Sequence, residues 1–82
     1  MATHRIKIKE EYYKEILNGS KTFELRKNDR DYKRGDLVQF SVLLKDGKVL
    51  ESQVIYMITY VLKGTPEYGL ADDFCIFSIR EL

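Results

Sequence analysis

At 82 residues, with one proline, one cysteine and a formal net charge of +1, the chain has room for one small domain around a single thin core. A hydrophobic share of 44% beside a charged share of 33% fits a globular chain rather than a disordered one. The near-neutral balance excludes a global basic field, so attraction to phosphate would rest on a local patch.

The lone Cys75 excludes an internal disulfide and a multi-cysteine zinc site, which fits a reducing cytoplasm. Met1 to Arg5 has no apolar run behind it, so no signal peptide is expected. The longest apolar stretch, Val54 to Leu62, is far short of the roughly 20 residues of a membrane helix. The expectation is a soluble cytoplasmic domain with no membrane contact.

Arg5-Ile6-Lys7-Ile8 alternates like a short strand, with Ile6 and Ile8 on one face. From Glu10 to Asn18 the period becomes helical. Tyr12, Tyr13, Ile16 and Leu17 fall on one side, and Glu10 and Glu11 stand in the first turn, where the helix dipole favours acids. Asn18-Gly19 is a C-terminal stop, because glycine tolerates the left-handed conformation. A second strand is predicted over Thr22 to Arg26, with Phe23 and Leu25 as core anchors and Thr22, Glu24 and Arg26 on the other face.

Lys27 to Arg34 reads as a polar turn region. Gly35-Asp36 leads into a β-rich run, Leu37 to Leu44. Lys45-Asp46-Gly47-Lys48 is a hairpin turn, with the partner strand beginning near Val49. Gln53 to Leu62, apolar on both faces, is the candidate central strand. Lys63 to Gly69 is a loop with the only proline, and Phe74 to Arg80 closes the chain as a strand. Together these predict one α+β domain over residues 1–82, a sheet of about five strands curling into a small barrel beside one helix.

The densest chemistry lies between Lys21 and Arg34, where six Lys and Arg residues interleave with Glu24, Asp29 and Asp31. Glu24 and Arg26, on a rigid strand, are candidates for a site; their alternative role is a solvated ion pair worth little. Lys21 is expected at the mouth of an apolar barrel, where Glu24 beside it would orient its amine or accept a proton. Arg30 offers a planar fork for phosphate and Asn28 both a donor and an acceptor. His4 is a candidate acid or base, though a lone histidine more often plays a supporting role. Tyr32 and Tyr68, in polar loops, are candidate base-stacking rings. Cys75, among Phe74, Ile76 and Phe77, reads as an inert core thiol. One His and one Cys cannot furnish a zinc site, and no Gly-rich phosphate loop is present, so no metal or cofactor is expected.

Gly-x-Lys-Thr-x-Glu-x-Arg (Gly19 to Arg26), followed ten residues after Arg26 by Asp36 of a Gly-Asp pair, resembles the ASCH domains, a branch of the PUA-like fold. The chain is similar in particular to small bacterial and phage ASCH-type proteins of unassigned function. These carry a histidine at the start of the first strand, here His4, then Gly-Lys-Lys-Thr-Phe-Glu-x-Arg-Lys-Asn-Asp-Arg-Asp and Gly-Asp. The matching residues here are Gly19, Lys21 to Glu24, Arg26 to Asp31 and Gly35-Asp36, and the likeness spans nearly the whole chain.

The resemblance implies a PUA-like β-barrel with a helix at its side and a cleft beside the Lys21–Arg26 strand. It also implies RNA binding, which is proposed for ASCH domains. Some bacterial members are amidohydrolases that deacylate acetylated cytidine, using a Lys and a Thr on this strand as base and nucleophile and a Glu from later in the chain. Lys21 matches the base, but the nucleophile position holds Glu24. Thr22 occupies a neighbouring position, and Glu51 and Glu67 are the nearest candidates for the later acid.

The functional expectation is therefore a module that binds RNA or a modified nucleoside or nucleotide. Arg26, Lys27, Arg30 and Lys33 would meet phosphate, while Lys21, Glu24 and Asn28 contact the base, with Tyr32 and His4 beside them. The rival is a hydrolase of an acylated nucleoside, with Lys21 as base and either Thr22 or a Glu24-activated water as nucleophile. A third reading is a phage or host regulatory module that binds a protein partner through the same face.

Overall fold

The computed structural model describes residues 1–82. Its elements are β1 (Thr3–Lys9), α1 (Glu10–Leu17), β2 (Phe23–Lys27), β3 (Leu37–Leu43), β4 (Val49–Glu51), β5 (Tyr56–Thr65), a single 3₁₀ turn (Pro66–Tyr68) and β6 (Leu70–Glu81). All six strands join one sheet in the order β1-β3-β5-β6-β2, with β4 added to β3. Only the β1–β3 pairing is parallel; the others are antiparallel.

Strand alternation and burial agree in β1, where Ile6 and Ile8 are buried and Arg5, Lys7 and Lys9 are not. The core joins these isoleucines to Val38, Phe40 and Val42 of β3, Tyr56 and Ile58 of β5, and Cys75, Phe77 and Ile79 of β6. The helix adds Tyr13 and Ile16. Tyr13 is fixed there by packing against Phe40 and by a 2.6 Å hydrogen bond between its hydroxyl and Ser52 Oγ. Tyr12 and Leu17, expected on the apolar side, are 48% and 58% exposed, because a helix of this length buries only the stripe that faces β1 and β3.

The predicted closed barrel is not formed. The hydrogen-bonded path ends at β1 on one side and β2 on the other, leaving two free strand edges. Arginine side chains span the gap: Arg26 Nη1 donates to the Lys7 carbonyl and Arg30 Nη1 to the Arg5 carbonyl, both at 2.7 Å. The sheet thus curls far enough for its edges to meet side chain to backbone, but not backbone to backbone.

Two further expectations need correction. The predicted loop and late final strand are instead a continuous β5–β6 ribbon reaching Thr65 and Leu70, with irregular register at Ile58/Tyr60 and Lys63/Thr65. The irregularity at Lys63/Thr65 takes up Gly64, a residue with weak strand propensity. The faces of β2 are also opposite to those predicted: Phe23 and Leu25 are 46% and 54% exposed, and Glu24 is 4% exposed. The register sets Glu24 and Arg26 beside Phe77 and Cys75 of β6, whose side chains face the core, so the alternate residues Phe23 and Leu25 turn outward beside Ser78 and Ile76.

Candidate functional site: a cationic groove between the sheet edges

The open seam between β1 and β2 is a groove of about 540 Å³, lined by Lys7, Ile8, Lys9, Tyr12, Lys21, Phe23, Glu24, Leu25 and Arg26. Its cations come from both walls. Lys7 and Lys9 point away from the core because Ile6 and Ile8 point into it. Lys21 and Arg26 come from the opposite wall and are fixed by one carboxylate. Glu24 Oε1 accepts from Lys21 Nζ, and Glu24 Oε2 lies 3.5 Å from Arg26 Nη1. A carboxylate with 5% of its side chain exposed is tolerable only when paired in this way.

Lys21 Nζ also donates to the Phe23 carbonyl at 2.8 Å. It lies 5.1 Å from the Phe23 ring centroid and 6.0 Å from that of Tyr12, within cation–π range. The result is a rigid floor in which positive charge, two aromatic rings and one neutralising carboxylate lie together.

The structure separates the other predicted residues. Thr22 opens onto a different hollow beside Ile79 and Arg80, which Lys21 also borders, and its carbonyl accepts from the Ile79 N–H. Arg30 sits on the seam at Arg5. Lys33 Nζ lies 3.4 Å from Asp31 on open surface, and Lys27 is exposed. Asn28 is tied to β6 through its N–H and the Asp73 carbonyl, and its side-chain oxygen is buried without a hydrogen-bond partner. None of these five lines the groove.

Tyr32, expected as an accessible ring, is 1% exposed and packed between His4 and Phe77, with centroids 4.7 and 4.8 Å away. Burial raises its phenol above the ordinary value of 10, against the pull of nearby Arg26 and Arg30. Tyr68 is 87% exposed, beyond the end of the ribbon. His4 is buried with Nε2 2.8 Å from Asp36 Oδ2. Asp36 also accepts from the Ala2 and Lys33 N–H groups at 3.1 Å. His4 and Asp36 thus pin the start of β1 to the turn before β3. Cys75 is buried, and burial pushes its thiol up.

Sequence reasoning overlooked Lys7, Lys9 and Tyr12 as groove residues. The signal for the lysines was present, since odd positions of β1 are basic wherever even ones are apolar. That this row would face β2 depends on the curl of the sheet.

No group of three or more His, Cys, Asp or Glu side chains is placed to hold a metal, and no helix is long and apolar enough to cross a membrane. The fold and the groove define a small α+β domain with an open, mostly antiparallel six-stranded sheet and a cationic seam. Residues 3–79 match the family described as Domain of unknown function (DUF3850), and the chain belongs to that family. A search of the curated proteins finds no match.

Proposed function

We propose that this chain is a nucleic-acid-binding domain of the PUA-like ASCH kind, which holds RNA or a nucleotide-sized ligand in the groove between β1 and β2. The supporting observation is the joint presence of Lys7, Lys9, Lys21 and Arg26 with the Tyr12 and Phe23 rings around one groove. Backbone phosphates would meet the cations and a base the rings, the combination that single-strand binders use. Glu24 acts here by positioning Lys21 and Arg26, since both of its oxygens are engaged.

The hydrolase reading has less support. Thr22 lies outside the groove, and Lys21 Nζ is committed to Glu24 and the Phe23 carbonyl, which leaves no free amine beside a hydroxyl.

A salt titration of single-stranded RNA binding tests the proposal. Four phosphate contacts correspond to a log–log slope of about −3, at roughly −0.7 per contact. Lys7→Ala should make the slope shallower by roughly 0.7 and weaken binding to all sequences alike. Absence of RNA affinity at low salt, or affinity that does not change with salt, would sink the reading.

A further inference from the structure

The outer side of the sheet carries a surface that the groove shares only at Phe23 and Leu25. In the register of β2, β6 and β5, Phe23 lies opposite Ser78 and Ser78 opposite Tyr60. Leu25, Ile76 and Leu62 form the next row, and Phe74 lies opposite Lys27 beyond it. The alternate residues Glu24, Cys75, Phe77 and Ile79 are buried, so these rows face solvent. Tyr60 is 53% exposed, Leu62 37% and Phe74 36%, beside the half-exposed Phe23 and Leu25. A contiguous apolar surface of this kind marks an interaction site.

Its chemistry selects the partner. The Arg34 guanidinium lies 5.5 Å from the Tyr60 ring centroid and Lys21 Nζ 5.1 Å from that of Phe23, so two of the three rings each have a cation at their face. Lys27 and Arg80 extend the cationic rim along the same outward positions, where Asp72, two residues before Phe74 at the far end of β6, is the carboxylate. Phe23 and Tyr60 are two strand spacings apart, about 10 Å, with the Leu25–Ile76–Leu62 row as an apolar floor beside them. Two copies packed on this face would bring like-charged rims together.

We infer that this face is a stacking platform for single-stranded nucleic acid, continuous with the groove through Phe23 and Leu25, which line both. The inference rests on the groove reading for the class of ligand, and adds a second surface with its own residues.

Anisotropy of a short fluorescein-labelled oligouridylate at low salt tests it, with the fold of each variant checked by circular dichroism. Tyr60→Ala and Phe74→Ala should each weaken binding about five- to a hundredfold, the usual worth of one stacked base. Tyr60→Phe, which keeps the ring, should bind like the wild type. In Tyr60→Trp, oligouridylate should quench the indole emission.

Wild-type affinity in Tyr60→Ala together with weakened binding in Lys7→Ala/Lys9→Ala would overturn this inference and leave the groove reading standing. Loss confined to the Tyr60 and Phe74 variants would uphold it and remove the groove. No binding by the wild type would sink both. Self-association abolished by Tyr60→Ala, with oligouridylate affinity unchanged in that variant, would assign the face to a second copy and overturn the inference.

Discussion

Asp36 shows how one side chain sets the local geometry around the first strand. Burial alone would raise its carboxyl, but hydrogen bonds from His4 and from the Ala2 and Lys33 N–H groups outweigh this and hold it below its ordinary 3.8. A carboxylate depressed in the folded state adds stability that is present above its unfolded value, about 3.9. That stability is lost as pH falls through the lower, folded value. Urea unfolding should therefore show a wild-type stability loss below about pH 4 that is reduced in Asp36→Asn. The variant should also be less stable at pH 7 by about 1–3 kcal/mol, the usual cost of weakening hydrogen bonds to a buried charge. An acid limb identical in the two proteins would show that Asp36 does not carry this term. His4, a candidate acid or base in the sequence, is half of this clasp and lies outside the groove lining.

At the scale of elements, the β5–β6 ribbon depends on a close backbone approach. A methyl group at Gly64 would lie 2.5 Å from Asp72 Cα and 2.6 Å from the Ala71 carbonyl oxygen. Both are backbone atoms, so relief requires the strands to move apart. Gly64→Ala should cost about 1–3 kcal/mol, the range for overpacking, and lower the thermal midpoint by roughly 4–8 °C per kcal/mol. An unchanged midpoint would mean that the ribbon opens freely at this point. The sequence marked Lys63 to Gly69 as a loop because Gly64, Pro66 and Gly69 are breakers. Bulges absorb the first of them, the 3₁₀ turn holds the proline, and Gly69 closes that turn at φ +90°.

For the whole molecule, the question is what holds a curled but unclosed sheet in shape. Free strand edges are a liability, and here Arg26 and Arg30 occupy the carbonyls of one of them. These bonds tie the first strand of the sheet path to the last, so they oppose uncurling of the entire sheet and also shape the groove. Arg26→Ala with Arg30→Ala should reduce stability by about 2 kcal/mol in total, near 1 kcal/mol per hydrogen bond. That corresponds to a midpoint lowered by roughly 8–16 °C. Lys27→Ala and Lys33→Ala, at surface positions, should stay within about 0.5 kcal/mol of the wild type. A double variant that melts like the wild type would show that the curl is set by the core alone.

Period and propensity by themselves determined the element types and most of their order. The Ile6/Ile8 alternation, the Glu10–Leu17 helix with its Gly19 stop, the Asp46-Gly47 hairpin and the centrally placed strand through Ile58 all rest on local chemistry, and the structure contains each of them. The density of charge between Lys21 and Arg34 likewise pointed to a neighbourhood in which Lys21, Glu24 and Arg26 meet. Which face of β2 turns inward was decided only in three dimensions. Alternation separates two faces without saying which one meets a core, and the pairing with β6 sets Glu24 and Arg26 beside the buried Phe77 and Cys75, which turns Phe23 and Leu25 outward. The same holds for the groove. Lys7 and Lys9 face Lys21 and Arg26 because two strands distant in the chain become the two edges of one curled sheet, and sheet curvature sums over all the strands between them.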